Sequence, residues 1–377
     1  MTHKILLLAP MSSVHERFNG ACLNALKDLN VELHLCANFS MDVHTKEYAE
    51  RVQEEGIVAH DLPFVRGALT ANLPCIKLMK ELFAKENFDI VHAHTETGGI
   101  LTRLAMSANK KTKYMFTPHG MSFWKGSGLK SQMVYRPIEW WICKAMDMNI
   151  AINEEELSVL QKWNKRTATY IHGIGLNVDK VASARCDVSI KKTELRLPLD
   201  SKVLLSVGEL NNNKNHLTII DALSKIKNLP ANLYYVICGQ GDYHDKLIHE
   251  AESKGVKDRL VLAGFRRDIY EIMQIADYFV FPSFHEGLPV SVMEAMATGL
   301  PIVGSRIRGT TDLIKDGEGG YLYAPTDVAG FAEGLSKLFS DDNFCKQMGE
   351  INRRNVLKCD IKSVRNEMFN IYNNLIK

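Results

Sequence analysis

The feature that most restricts the fold is a rhythm running along the whole chain, in which short apolar runs rich in β-branched and aromatic residues alternate with stretches of helical period. An apolar run bounded by turn residues and followed by an amphipathic helix is a strand buried on both faces. Strands of that kind pair in parallel beneath covering helices. A first series lies at residues 5–9, 31–37, 57–62, 89–93, 114–118, 149–152 and 169–172, and a second at 203–207, 233–238, 260–263, 278–282, 301–304 and 320–323. The 377 residues exceed what one hydrophobic core usually supports. The reading is therefore α/β, with two Rossmann-like domains at 1–175 and 176–359. Residues 176–199 are polar and weakly periodic, as a linker would be. Apolar spacing at Val364, Met368, Ile371, Tyr372 and Leu375 predicts a terminal helix over 360–377. Ligands of open parallel sheets sit beyond the carboxyl ends of the strands, so two facing sheets would enclose a central cleft. A single dinucleotide-binding domain is a poorer fit, because Gly239-Gln240-Gly241 is only a fragment of G-x-G-x-x-G.

Composition removes several other classes. Hydrophobic residues make up 46% and charged residues 24%, with a net charge of +2, which describes a globular chain without the basic runs of a nucleic-acid binder. The apolar run at 5–9 is too short for a signal peptide or a membrane span and reads as a first buried strand. The cysteines, at 22, 36, 75, 143, 186, 238, 345 and 359, form no CxxC pair, which fits free thiols in a reducing cytoplasm. His92-Ala93-His94 has no cysteine or carboxylate cluster at ligand spacing, so a structural or substrate-contacting role is expected rather than a metal. Between Thr97 and Ile138 the charged residues are Arg103, Lys110, Lys111, Lys113, Lys125, Lys130 and Arg136, with no acid, followed by Glu139-Trp140-Trp141. That stretch reads as a solvated helix face over core tryptophans, or alternatively as a peripheral contact with an anionic membrane.

The chemistry concentrates in Phe281-Pro282-Ser283-Phe284-His285-Glu286-Gly287-Leu288-Pro289-Val290-Ser291-Val292-Met293-Glu294, which ends in Ala297-Thr298-Gly299-Leu300-Pro301. This is a strand, a polar turn, a helix from Pro289 to Thr298 and a stop. Gly287 permits close backbone approach, and the unpaired N–H groups of the helix start favour an anion such as a diphosphate. Glu286 and Glu294, with seven residues between them, resemble the signature of the retaining GT-B glycosyltransferases of family 4, including its Gly-Leu-Pro interior. The resemblance implies that Glu286 binds hydroxyls of the donor hexose and Glu294 the nucleotide ribose, while backbone at Gly287, Leu288 and Pro289 faces sugar and phosphate. It also implies that the terminal helix crosses back to the first domain.

Other segments extend the resemblance. Gly208-Glu209-Leu210-Asn211-Asn212-Asn213-Lys214 ends a strand, and Lys214 matches the family lysine that neutralises pyrophosphate. Glu209 stands where an arginine is commoner, as in a bacterial polysaccharide-biosynthesis subgroup, so Arg266 or another cation would have to compensate. Gly239 and Gly264-Phe265-Arg266 resemble loops around the nucleotide. Gly309-Thr310-Thr311-Asp312 resembles the segment beside the donor pocket, though a capped surface helix describes it almost as well. In the first domain, Thr117-Pro118-His119-Gly120 places His119 as the catalytic candidate near donor sugar and acceptor, with His94 and Glu96 as acceptor contacts. The catalytic set is then His119, Glu286 and Lys214.

The function this implies is retaining transfer of a hexose or N-acetylhexosamine from a nucleotide diphosphate sugar, UDP-linked by subgroup, to a saccharide or lipid-linked acceptor in cell-surface polysaccharide biosynthesis. No DxD-like acidic cluster is present, so no divalent metal or other cofactor is expected. The alternatives are a GT-B sugar-nucleotide epimerase and a non-catalytic nucleotide-sugar binding protein.

Overall fold

The computed structural model describes residues 2–65 and 70–377. They form two compact units, the residues up to Gly175 with Ile361–Lys377, and Leu176–Asp360.

In the first unit, β1 (Lys4–Met11), β2 (Glu32–Asn38), β3 (Val58–Asp61), β4 (Ile90–His94), β5 (Lys113–Thr117), β6 (Met148–Ala151) and β7 (Ala168–Tyr170) make one parallel sheet in the order β3-β2-β1-β4-β5-β6-β7. The central strand β1 has no solvent exposure from Ile5 to Ala9, as an unbroken apolar run demands. The terminal helix Ile361–Ile376 packs on the helix Gly20–Asp28 and buries Val364, Met368 and Tyr372, so it belongs to the first unit.

The second unit repeats the plan with β8 (Lys202–Val207), β9 (Leu233–Cys238), β10 (Leu260–Gly264), β11 (Tyr278–Phe281), β12 (Ile302–Ser305) and β13 (Gly320–Tyr323), ordered β10-β9-β8-β11-β12-β13. The order reverses between β8 and β11. At such a switch point the neighbouring strand-to-helix loops part and leave a crevice beyond the carboxyl ends. Here those loops are the two richest in the sequence motifs.

Residues 176–199 are not a linker. They contain the helices Val178–Ala182 and Val188–Glu194, and they bury Val181, Leu195 and Leu197 in the core of the second unit. Two of its three lysines are buried: Lys192 Nζ donates to the carbonyls of Leu199 and Ser201, and Lys191 Nζ to Asp268 at 2.6 Å, while Lys180 is exposed. Long stems packed inside with paired ammonium heads read as surface in any hydropathy pattern.

Candidate active site

Two glycines set the floor of the second-unit site. A Cβ on Gly239 would lie 1.8 Å from the Gly208 carbonyl oxygen, so the loops after β8 and β9 stack backbone on backbone. A Cβ on Gly208 would meet the Lys214 side chain at 3.0 Å, so its absence lets the lysine stem lie across the strand end. The Asn211 side chain accepts from the Lys214 N–H at 3.0 Å. Asn213 ties this loop to the one after β11: its carbonyl accepts from Phe284 N–H, its side-chain oxygen from His285 N–H, and its amide donates to the His285 carbonyl. Asn215, in the left-handed region at φ 53°, donates to the carbonyls of Pro282 and Pro325. Lys214 Nζ thereby sits 2.5 Å from Glu286 Oε1 and 5.4 Å from the centre of the Phe281 ring.

The turn carrying Glu286 is clamped from the other side. Arg308 Nε donates to the Glu286 carbonyl at 2.8 Å, and Gly309, at φ 77°, packs so closely that a Cβ would lie 2.3 Å from the Gly287 carbonyl oxygen. The helix after Gly309, Thr310–Leu313, buries Thr310 and Leu313 and leaves Thr311 exposed, with Asp312 accepting from Gly309 N–H at 2.9 Å. Pro289 is extended and caps the helix Val290–Thr298 from outside, so the helix begins one residue after the expected start; the fixed φ of proline suits the turn and its missing N–H costs nothing there. Gly299, at φ 82°, closes that helix. Burial pushes the Glu294 carboxyl up to about 7, partly offset by a hydrogen bond from Tyr270, and burial and Glu294 push the Tyr270 phenol up to about 12.

The structure thus gathers Gly208, Lys214, Gly239, Glu286, Gly287, Leu288, Pro289 and Glu294 on adjoining loops and one helix. Phe265, 60% exposed, follows β10, whose Gly264 carbonyl accepts from Gly239 N–H. Glu209 is exposed and accepts from the Asn211 side chain at 2.9 Å. Arg266 does not supply a spare cation: its guanidinium is held by both oxygens of Asp268 and by Glu194. Asn213, Asn215, Tyr270 and Arg308 escaped the sequence reading. Only the asparagine run carried a signal, since Asn is the non-glycine residue that most readily adopts left-handed backbone.

In the first unit, His94 ends β4 and His119 follows β5 in a left-handed conformation at φ 59°. Their rings stack, with His94 Nδ1 2.9 Å from His119 Nε2. Burial lowers His119 to about 4, His92 to about 3 and His15 to about 4, and drives His94 well down, so all are neutral at pH 7. A neutral His119 can donate or accept a hydrogen bond with a hydroxyl but lacks the imidazolium proton of a general acid. Glu96, in the first turn of the helix Thr95–Ala105, accepts from the Ser122 hydroxyl.

The fold brings Cys22 to His92 and His94, their ligand atoms lying within 4.8 Å of one another, a grouping that sequence spacing could not show. These groups are already used as a hydrogen-bonded core. His92 contacts Tyr372 at 2.7 Å and Thr117 at 2.8 Å, and burial pushes the Cys22 thiol up to about 12.

Two units, each built on a parallel Rossmann-like sheet, with the terminal helix packed on the first, are the architecture called GT-B. Residues 187–355 match the family model described as glycosyl transferases group 1, and residues 16–175 the one described as glycosyltransferase family 4. The chain is 32% identical over 381 residues to EpsD of Bacillus subtilis (strain 168), named as a glycosyltransferase, covering 99% of this chain and 97% of that protein. It is 30% identical over 316 residues to the Escherichia coli UDP-Gal:alpha-D-GlcNAc-diphosphoundecaprenol alpha-1,3-galactosyltransferase, covering 81% and 78%. Anabaena HepE, solved with UDP and glucose, superposes with a TM-score of 0.79 at 17% identity, covering 99% of this chain and 100% of that one. The protein belongs to glycosyltransferase family 4.

Proposed function

We propose that the enzyme transfers a hexose or N-acetylhexosamine, with retention and without a divalent metal, from a UDP-sugar to a saccharide or lipid-linked saccharide in cell-surface polysaccharide biosynthesis. The observation that carries this reading is the Lys214–Glu286 pair, held at the switch point beside the open start of the Val290–Thr298 helix. Breaking the bond from the anomeric carbon to the diphosphate oxygen loads negative charge on the leaving group. Lys214, the amides of Gly287 and Leu288 and the helix N-terminus are the groups that would take up that charge, in the place a metal ion fills elsewhere. Glu286 would accept from the sugar hydroxyls and Glu294 from the ribose. Same-face attack, with a phosphate oxygen receiving the acceptor proton, needs no carboxylate nucleophile. His94, Glu96 and His119 are the acceptor-side groups of the first unit, His119 as a neutral hydrogen-bonding partner.

The names of the Escherichia coli relative and the HepE complex favour a UDP donor, and the former a lipid-diphosphate acceptor. No helix among the described residues is long and apolar enough to cross a membrane, and we place the reaction in the cytoplasm. The test is NMR of UDP-sugars incubated with a polyprenyl-diphosphate saccharide and chelator. Acceptor-dependent formation of an α-glycoside supports the proposal. A donor epimerised without acceptor points to the epimerase. Turnover that chelator abolishes and added divalent ions restore removes metal independence. Binding without any turnover leaves a nucleotide-sugar binding protein.

A further inference from the structure

The helical stretch at residues 129–143, through the π-helical turn Ser131–Tyr135 into the helix Arg136–Cys143, has two unlike faces. The inner face is anchored: Glu139, Ile142 and Cys143 are buried, and the Glu139 carboxylate accepts from Ser122 N–H at 2.7 Å. The outer face presents Leu129 at 79% exposure, Met133 at 74%, Val134 at 44% and Trp140 at 45%. Leu129 and Met133 are the two most exposed large apolar side chains among the described residues. Lys125, Lys130, Arg136 and Lys144 are exposed around them, and the one acid of the stretch, Glu139, is turned inward. Outside the stretch, Glu155 accepts from Lys125 N–H.

We propose that this face docks on an anionic lipid surface. Large apolar tips exposed on one helical face cost solvation unless something covers them. A ring of cations without an exposed acid selects a negatively charged cover, and an indole at the edge suits the boundary between headgroups and acyl chains. Three tryptophans divide accordingly: Trp140 lies on the docking face, whereas Trp163 packs tilted against buried Phe123 and Trp141 lies under the Arg103 guanidinium. Docking would keep a lipid-linked acceptor and the enzyme on one surface, but the inference rests on the face alone and holds whatever the donor.

The experiment is sedimentation of the full chain with vesicles of phosphatidylcholine alone or mixed with phosphatidylglycerol. Binding is expected to the mixed vesicles only and to weaken with salt. Leu129→Ser with Met133→Ser should lower the partition coefficient by at least about tenfold, and each of Lys130→Glu and Arg136→Glu by about fivefold or more, all at unchanged Tm because these side chains are exposed. Absence of binding to the mixed vesicles overturns the proposal, as does binding that these substitutions leave intact. A wild-type dimer in solution that Leu129→Ser with Met133→Ser dissociates, without vesicle binding, also overturns it and gives the face to a second copy.

Discussion

Replacing Glu286 by Gln should tighten UDP while slowing transfer. Lys214 Nζ lies 2.5 Å from Glu286 Oε1, with the two side chains only 21% and 18% exposed. A hydrogen bond between charged groups contributes about 1.5–3 kcal/mol, and the remaining exposure argues for the low end of that range. A diphosphate reaching Lys214 must displace this carboxylate. A full donor compensates by offering sugar hydroxyls to Glu286, but UDP offers nothing in return. Glu286→Gln keeps the shape and removes the competing charge. Freed of roughly 1–1.8 kcal/mol, UDP should bind about 5- to 20-fold tighter, while turnover falls by about 10²-fold or more because donor positioning is lost. Calorimetry of UDP with wild type, Glu286→Gln, Lys214→Met and the double variant isolates the effect, because the gain must disappear once Lys214 is gone. UDP binding to Glu286→Gln at wild-type strength or weaker, with wild type itself binding, would refute the competition argument.

Glu294 predicts a pH effect of definite sign. Only its ionised form can accept from two ribose hydroxyls, and with its carboxyl near 7 that form grows between pH 6 and 8. UDP affinity should therefore rise over that interval more in wild type than in Glu294→Gln, as titration calorimetry at several pH values would show. The same raised carboxyl disfavours the folded state as pH climbs from about 4.5 to 7, so Glu294→Gln should be the more stable protein above pH 7, by about 1–3 kcal/mol in denaturant melts. In the first unit, His15, His92 and His119 fold neutral with lowered pKa values. The unfolded chain takes up their protons first, so their contribution is complete above pH 6.5 and is lost as pH falls toward 4, by up to about 1.4 kcal/mol per unit for each. Near-UV dichroism should show cooperative acid unfolding in that window, less steep in His15→Gln. Gly309→Ala, with its Cβ forced to 2.3 Å from the Gly287 carbonyl at a positive φ, should cost about 1–3 kcal/mol and weaken UDP binding, read by melts and calorimetry on the same samples.

The strands were legible because both sheets are buried on both faces: runs such as Ile5–Ala9 and Leu233–Cys238 are apolar throughout and have no competing helical period. The Gly299 stop and the Pro289 start were legible because local sterics alone decide them. What escaped depends on partners distant in sequence. The stretch before Leu199 reads as a polar linker because burial of Lys191 and Lys192 depends on acceptors such as the Leu199 carbonyl and on Asp268, 77 residues beyond Lys191. Arg266 is paired both by Asp268, two residues on, and by Glu194, 72 residues away, and only the second partner is beyond the reach of local sequence. Trp140 was expected in the core beside Trp141, yet consecutive helical residues point about 100° apart, and only one of the two can face inward fully.

Glu209 also makes sense once the contacts around it are known. Its carboxylate accepts from the Asn211 amide, and the same Asn211 accepts, through its carbonyl oxygen, from the backbone of Lys214. The acid therefore fixes which way the asparagine points, and the asparagine fixes the turn that carries the lysine. A residue unfit to bind phosphate itself can still position the group that does. In the proposed reaction, with Arg266 paired to Asp268 and Glu194, the loop after β8 would offer the diphosphate a single ammonium, restrained by Glu286 until a sugar takes the carboxylate. An anion site built from one cation and backbone N–H groups holds a product diphosphate less tightly than one with two cations would. In the proposed reaction that product must leave after every transfer.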